Sequence, residues 1–206
     1  MTTQLYYAPM SSAVPFLWVM AELGIDHEAI QLDLKAGDQK KPEVMAHNPM
    51  GQVPTLVDQG QGMFESTAIT VYLGERYGVE RGLWPMVGSA EHMVALSWNS
   101  WFAVSLGAAM HRIMINTGDW IPKEIQSPGQ AEEGRKRFGE RMKILDDRLA
   151  EQAYVVGERF TLVDVYGATS LAWGTQVIGF DMSTVPNVAA WMGRCMSREG
   201  AKTMGF

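Results

Sequence analysis

Two short stretches of this chain hold residue types that could do chemistry together. Asn48 to Ser66 reads Asn-Pro-Met-Gly-Gln-Val-Pro-Thr-Leu-Val-Asp, a Gly-Gln-Gly turn, then Met-Phe-Glu-Ser. Pro54 cannot donate to a sheet ladder, so its place at the head of the strand Thr55 to Val57 implies an edge, a bulge or a turn. The backbone of Val53 is thereby left to pair with an extended, peptide-like ligand. Val53-Pro54 is a candidate cis bond, although pattern alone favours trans. At the end of the stretch Glu65 and Ser66 open a predicted helix, with Ser66 where an N-cap belongs, and such a helix start attracts anions. The second stretch, Ala8-Pro9-Met10-Ser11-Ser12, sets two hydroxyls ahead of another helix, where capping is the plain reading.

Other reactive side chains are not spaced for a site. His27, His47, His92 and His111 lack metal-ligand spacing, one cysteine cannot build a zinc site, and no metal is expected. Cys195 shares a helix with Trp191 and Met192, as a buried structural thiol does. Gly60 and Gly62 join two strands and lack the Lys-Ser or Lys-Thr of a nucleotide loop.

Composition narrows the classes further. With 206 residues, 47% of them hydrophobic, the chain can bury one large core or two modest ones. Seventeen basic against 23 acidic residues leave a net charge of −6, which argues against nucleic acid as a partner. A lone cysteine excludes an internal disulfide framework, and the first residues lack the basic region of a secretory signal, so a cytoplasmic location is expected. Three uncharged runs, 1–21, 93–110 and 165–180, are interrupted by Pro9 and Pro15, by Ser97, Asn99, Ser100 and Ser105, and by Thr169, Ser170, Thr175 and Gln176. They are expected to be core helices, with no membrane span.

The elements that must position the two stretches follow from periodicity. Gln4 to Tyr7 predicts a strand, Ala13 to Leu23 a helix closed by Gly24, and Glu28 to Leu34 a strand of period two, parallel to the first. Pro42 to Ala46 predicts a helical turn, and two strands and a helix ending near Gly78 complete β-α-β-α-β-β-α over residues 1–78. Residues 79–88, with Gly82, Pro85 and Gly88, read as a linker. Residues 89–206 read as all-helical: Ser89 caps a helix through about Asn116, 119–129 is a loop, and Phe138, Met142, Leu145 and Leu149 stripe the next helix. Thr161 and Asp164 form a capping box with Phe160 placed to staple onto Val165, and Asn187 to Arg198 is the last substantial helix.

The segments Asn48–Pro54, Phe64-Glu65-Ser66 and Phe160–Asp164, in this order, resemble the cytosolic glutathione transferases, and Leu34 to Pro42 is most similar to the phi class of plants and bacteria. The resemblance implies an α/β plus all-α fold: a thioredoxin-like glutathione-binding domain, then an all-helical domain that contributes a hydrophobic substrate site. It implies a cis Pro54, with Val53 exchanging backbone hydrogen bonds with the cysteinyl unit of glutathione, the co-substrate. Glu65 and Ser66 match the pair that holds the γ-glutamyl end, and Lys40 with Gln52 matches the positions at the glycine carboxylate. Gln39 stands where phi-like sequences usually have His, and Thr67 where an Arg often follows, which implies weaker or differently sourced carboxylate binding, with Lys41 as a substitute.

A thiol of pKa about 8.5 is mostly protonated at neutral pH, so the enzyme type must favour the thiolate. Ser11 aligns with the serine of the phi, delta and theta classes and is the first candidate donor. Ser12 aligns with the beta-class cysteine and is the second, and Tyr7 is the third. The apolar site for a small hydrophobic electrophile is expected from Met10, Trp98, Trp101, Met110 and Met114, with core packing the competing reading for each. The activity implied is conjugation of glutathione to electrophiles, a detoxification chemistry, by a homodimer. Peroxide reduction, isomerisation or ether cleavage on the same scaffold, or a non-catalytic binding module, are the alternatives.

Overall fold

A computed structural model of the chain describes residues 2–119 and 121–205. It divides into two compact units, Met1–Val87 with Ser197–Phe206, and Gly88–Met196. The first unit opens with β1 (Thr3–Tyr7), α1 (Pro15–Leu23) and β2 (His27–Gln31), followed by α2 (Pro42–Met45), β3 (Thr55–Asp58), β4 (Gln61–Phe64) and α3 (Ser66–Leu73). This is the thioredoxin-like order. The sheet runs β2-β1-β3-β4, with β1 and β2 parallel and the other pairs antiparallel.

Alternation along the strands divides the core between two faces. Tyr6 and Val57 join Leu32 and Val44 of α2 in one cluster, while Leu5 and Leu56, paired across the sheet, are fully buried. The second strand is shorter than its periodicity suggested: the amide of Leu32 still reaches the carbonyl of Tyr7, but Leu34 lies 39% exposed beyond the strand end. At the outer end of β3, Asp58 accepts hydrogen bonds from Thr3, Tyr72 and Tyr77 at 2.9, 2.6 and 2.7 Å. Burial and the Asp58 contact push the Tyr72 hydroxyl up to about 12, so this anchor stays protonated.

The tail returns to the first unit. Arg198 makes paired bonds of 2.8 and 2.7 Å to Glu22 of α1, the Trp18 indole donates to the same carboxylate at 2.8 Å, and Ala201 and Met204 are buried. The expected boundary left this segment with the helical domain. Periodicity reports that a stretch has an apolar face but not which unit that face meets.

The second unit is helical: α4 (Ala90–Trp101), α5 (Gly107–Thr117), α6 (Pro128–Glu151), α7 (Leu162–Ile178) and α8 (Pro186–Met196). The single helix expected from Ser89 is continuous but carries a π-helical segment at Phe102–Leu106. Ser89 caps it, its hydroxyl accepting from the amide of His92. By length and composition alone Ala90–Thr117 could cross a membrane; it carries two buried polar side chains, His92 and Asn99. The capping box at α7 is present, and Asp164 accepts from the amides of Thr161 and Val155, the Thr161 hydroxyl and the Trp191 indole, at 2.8 to 3.0 Å. Phe160 meets Tyr154 edge-on at 5.8 Å.

Candidate functional site

The two stretches singled out in the sequence meet in one cleft of the first unit. Ser12, Asn48, Met50, Gln52, Val53, Pro54, Phe64, Glu65 and Ser66 line a space of about 110 Å³. The parallel β1–β2 pair and the antiparallel β3 bring them together, because the loop leaving β1 and the loop entering β3 lie at the same sheet end.

Val53-Pro54 is cis. The loop around it is braced by Asn48, only 2% exposed, whose Nδ2 donates to the carbonyl of Gln52 (2.9 Å) and to the Thr55 hydroxyl (3.0 Å). Its Oδ1 accepts the amide of Met50 at 3.0 Å. Sequence reasoning read Asn48 only as the start of a motif; the signal available was an amide side chain directly before a Pro-Met-Gly turn, the position from which Asx side chains fold back onto backbone.

The hydroxyls of the first loop take different partners. Ser11 Oγ donates to the carbonyl of Ala8 at 2.7 Å and accepts the amide of Ala13 at 3.2 Å, so it closes the turn before α1. Ser12 Oγ donates to the carbonyl of Val53 at 3.3 Å and lies on the cleft wall. The Tyr7 hydroxyl donates to Gln31 on β2 at 3.1 Å.

Ser66 is the first residue of α3 rather than its N-cap. Glu65 occupies the cap with φ 69° and ψ 115°, and its carbonyl accepts the amide of Ile69 at 2.9 Å. The acid and the open amides of the helix start are thus adjacent on the cleft wall, an arrangement chemically complementary to an ammonium beside a carboxylate.

The cations expected at the other end of the ligand are already engaged. Lys40 Nζ donates to the carbonyl of Met50 at 2.8 Å, and Lys41 pairs with Asp38 at 2.8 Å, a contact that pushes the Lys41 ammonium up. Lys40 lies across Gly51, where a Cβ would fall 2.7 Å from its Cδ, and φ of +55° independently favours glycine there. Gln39 donates to the carbonyl of Leu34 at 3.4 Å, and Gln52 is exposed on the cleft.

Of the residues expected around an apolar substrate, Met10 is 68% exposed beside Ser11. Trp98 stands edge-on to Trp101 at 4.9 Å, with the Arg148 guanidinium 5.0 Å from its ring. Phe102, on the same helical face, stacks on Trp191 at 6.2 Å. The Met110 thioether fills the notch at Gly174, where a Cβ would sit 1.9 Å from its sulfur. Trp98, Trp101 and Met110 make these packing contacts while half-buried, as Met114 on α5 also is. Among the described residues no three His, Cys, Asp or Glu side chains gather as a metal site.

Comparison with known proteins agrees with this architecture. The glutathione S-transferase N-terminal domain matches residues 1–75, and the glutathione S-transferase C-terminal domain matches residues 109–199. Glutathione S-transferase F13 of Arabidopsis thaliana is 27% identical over 208 residues, covering 96% of this chain and 92% of the relative. A glutathione transferase from Methylococcus capsulatus superposes with a TM-score of 0.85 at 26% identity, over 99% of this chain and 98% of the other. A sphingomonad glutathione S-transferase, solved in complex with glutathione, gives 0.83 at 25% identity, over 98% and 96%. Two domains of one family, matched in order on a chain with the thioredoxin-like and all-helical units, place it: the chain belongs to the glutathione S-transferase family of enzymes.

Proposed function

We propose that this protein binds glutathione in the cleft of the first unit and directs its thiolate at hydrophobic electrophiles. The observation that carries the reading is the gathering of Ser12, Gln52, Val53, Pro54, Glu65 and Ser66 around one small cleft. Val53 offers backbone to the cysteinyl unit, Glu65 takes the ammonium, the amides at Ser66 take the γ-glutamyl carboxylate, and Gln52 with Lys40 faces the glycine end. Glutathione carries two carboxylates and one ammonium, and this donor set matches that charge pattern.

The hydroxyl that stabilises the sulfur is Ser12 in this proposal, with Ser11 holding the loop. The order is the reverse of the sequence expectation, and its support is geometric: Ser12 Oγ already reaches the carbonyl beside which the cysteinyl unit pairs, whereas Ser11 Oγ is committed to Ala8 and Ala13. A hydroxyl donating to the anion lowers the thiol pKa and raises the nucleophile's population at neutral pH. Within the first unit, Met10, exposed beside the serine loop, is the candidate for contact with the electrophile.

A homodimer in the cytoplasm completes the reading. Met93, Ser97, Ser100, Val104, Ala108 and His111 form an exposed stripe without formal charge along α4 and α5, and it is the face assigned to the second copy. The direct test of the chemistry is thiolate absorbance of bound glutathione titrated for the wild type, Ser11→Ala and Ser12→Ala. Ser12→Ala is expected to raise the bound thiol pKa most; a bound pKa no lower than that of free glutathione in the wild type would sink the hydroxyl mechanism.

A further inference from the structure

Met50 lines the same cleft. It is 54% exposed and lines the space beside Ser12, Gln52, Val53 and Glu65. Its backbone is held at both ends, the amide by Asn48 Oδ1 and the carbonyl by Lys40 Nζ. The side chain is therefore displayed from a fixed point rather than carried by a loose loop. A thioether is a polarizable apolar contact for a ligand, and it is also the side chain that peroxides convert to a polar sulfoxide.

We propose that Met50 is a sulfoxidation site gated by glutathione occupancy, the oxidant being a hydroperoxide. The inference rests on the cleft being the glutathione site. In the step, a sulfur lone pair attacks the terminal peroxide oxygen, the O–O bond breaks and an S=O bond forms. The proton of that oxygen passes to the departing alkoxide, which leaves as an alcohol, or as water from hydrogen peroxide. Sulfur is oxidised by two electrons and the peroxide is reduced by two.

Occupancy decides access. Bound glutathione covers the thioether, and the empty cleft exposes it. Once formed, the sulfoxide oxygen carries partial negative charge into a cleft whose ligand brings two carboxylates, so glutathione binds more weakly until a sulfoxide reductase removes the oxygen. When glutathione is scarce and hydroperoxide abundant, the modification and the loss of affinity reinforce each other. Met86, 71% exposed and in the same unit, does not line the cleft and serves as the internal control.

The test exposes the purified protein to hydrogen peroxide with and without glutathione sulfonate, a ligand whose sulfur is already at the top of the oxidation ladder. Peptide mass spectrometry follows Met50 and Met86, and calorimetry follows ligand binding. Saturating ligand is expected to slow Met50 oxidation several-fold and leave Met86 unchanged. Treated wild type is expected to show a KM for glutathione raised about fivefold, the size of one lost favourable contact. Met50→Leu should keep its own starting KM through the same treatment, and methionine sulfoxide reductase should restore the wild type. Equal protection of Met50 and Met86, or no protection of either, while calorimetry shows the ligand bound would overturn the gating. An unchanged KM with Met50 fully oxidised would overturn the consequence. Absence of binding by glutathione and its sulfonate alike would remove the glutathione reading itself, and the gating with it.

Discussion

Glu65 holds φ 69° and ψ 115°, a backbone conformation that costs a side-chain-bearing residue roughly 1–3 kcal/mol. Glu65→Gly removes the Cβ that makes it costly, while the greater chain entropy of glycine returns roughly 0.5–1 kcal/mol of the gain. The net expectation is a stabilisation of about 1 kcal/mol, or roughly 2–4 °C in Tm for a chain of this size. Glu65→Ala is the reference, because it loses the same carboxylate but keeps the Cβ. Scanning calorimetry of the two variants therefore isolates the strain, with Gly expected above Ala although glycine is ordinarily the less stabilising residue. The same change deletes the carboxylate proposed for the γ-glutamyl ammonium. A hydrogen bond to a charged group is worth about 1.5–3 kcal/mol, so KM for glutathione should rise on the order of tenfold to a hundredfold. The expected variant is firmer and poorer at binding glutathione. If Glu65→Gly melts at or below Glu65→Ala, the conformation is not stored strain and the reasoning fails.

Two further outcomes follow from the packing. Asp164→Ala strands the fixed donors of Thr161, Val155 and Trp191 in a fully buried site, at about 1–3 kcal/mol each, so Tm should fall by roughly 6 °C or more; a fall under 2 °C would mean the box contributes little. Glu22 is pushed up by burial, but the Arg198 and Trp18 bonds outweigh this and hold its carboxyl below 4.5. A depressed carboxylate contributes stability above its unfolded pKa that is lost as pH falls through the folded one. Hydrogen-exchange protection at Ala201 and Met204, taken relative to the intrinsic rate at each pH, should therefore fall below about pH 4.5, and Glu22→Gln should remove that dependence; an unchanged profile in the variant would exclude the pair as its origin.

Much of the fold was legible because each signal was local. The period-two strands, the Gly24 helix end and the Thr161–Asp164 box are decided by neighbours within a few residues, and each has its counterpart in the structure. Glu65 and Ser66 were legible as a pair but not in which of them occupies the cap, because a positive φ at a glutamate contradicts its intrinsic preference. Ser11 and Ser12 could not be ranked by type. They are adjacent and chemically alike, and only the path of the cis-proline loop determines which hydroxyl reaches Val53. The π-helical segment at Phe102–Leu106 was equally hidden, since a one-residue insertion in a long apolar helix barely disturbs its stripe.

The return of the tail to α1 has a consequence for the order in which the molecule can be made. Glu22 and Arg198 stand 176 residues apart in sequence, so the first unit is assembled from two segments that the whole helical unit separates in sequence. During synthesis the ribosome releases β1 to α3 well before the segment that covers α1, and contacts so distant in sequence close late. A nascent thioredoxin-like unit therefore waits with one flank of its first helix uncovered until the segment from Ser197 onward has been synthesised. A stop codon placed shortly before residue 197 would spare every residue lining the cleft proposed for glutathione and still leave α1 without its Arg198 partner.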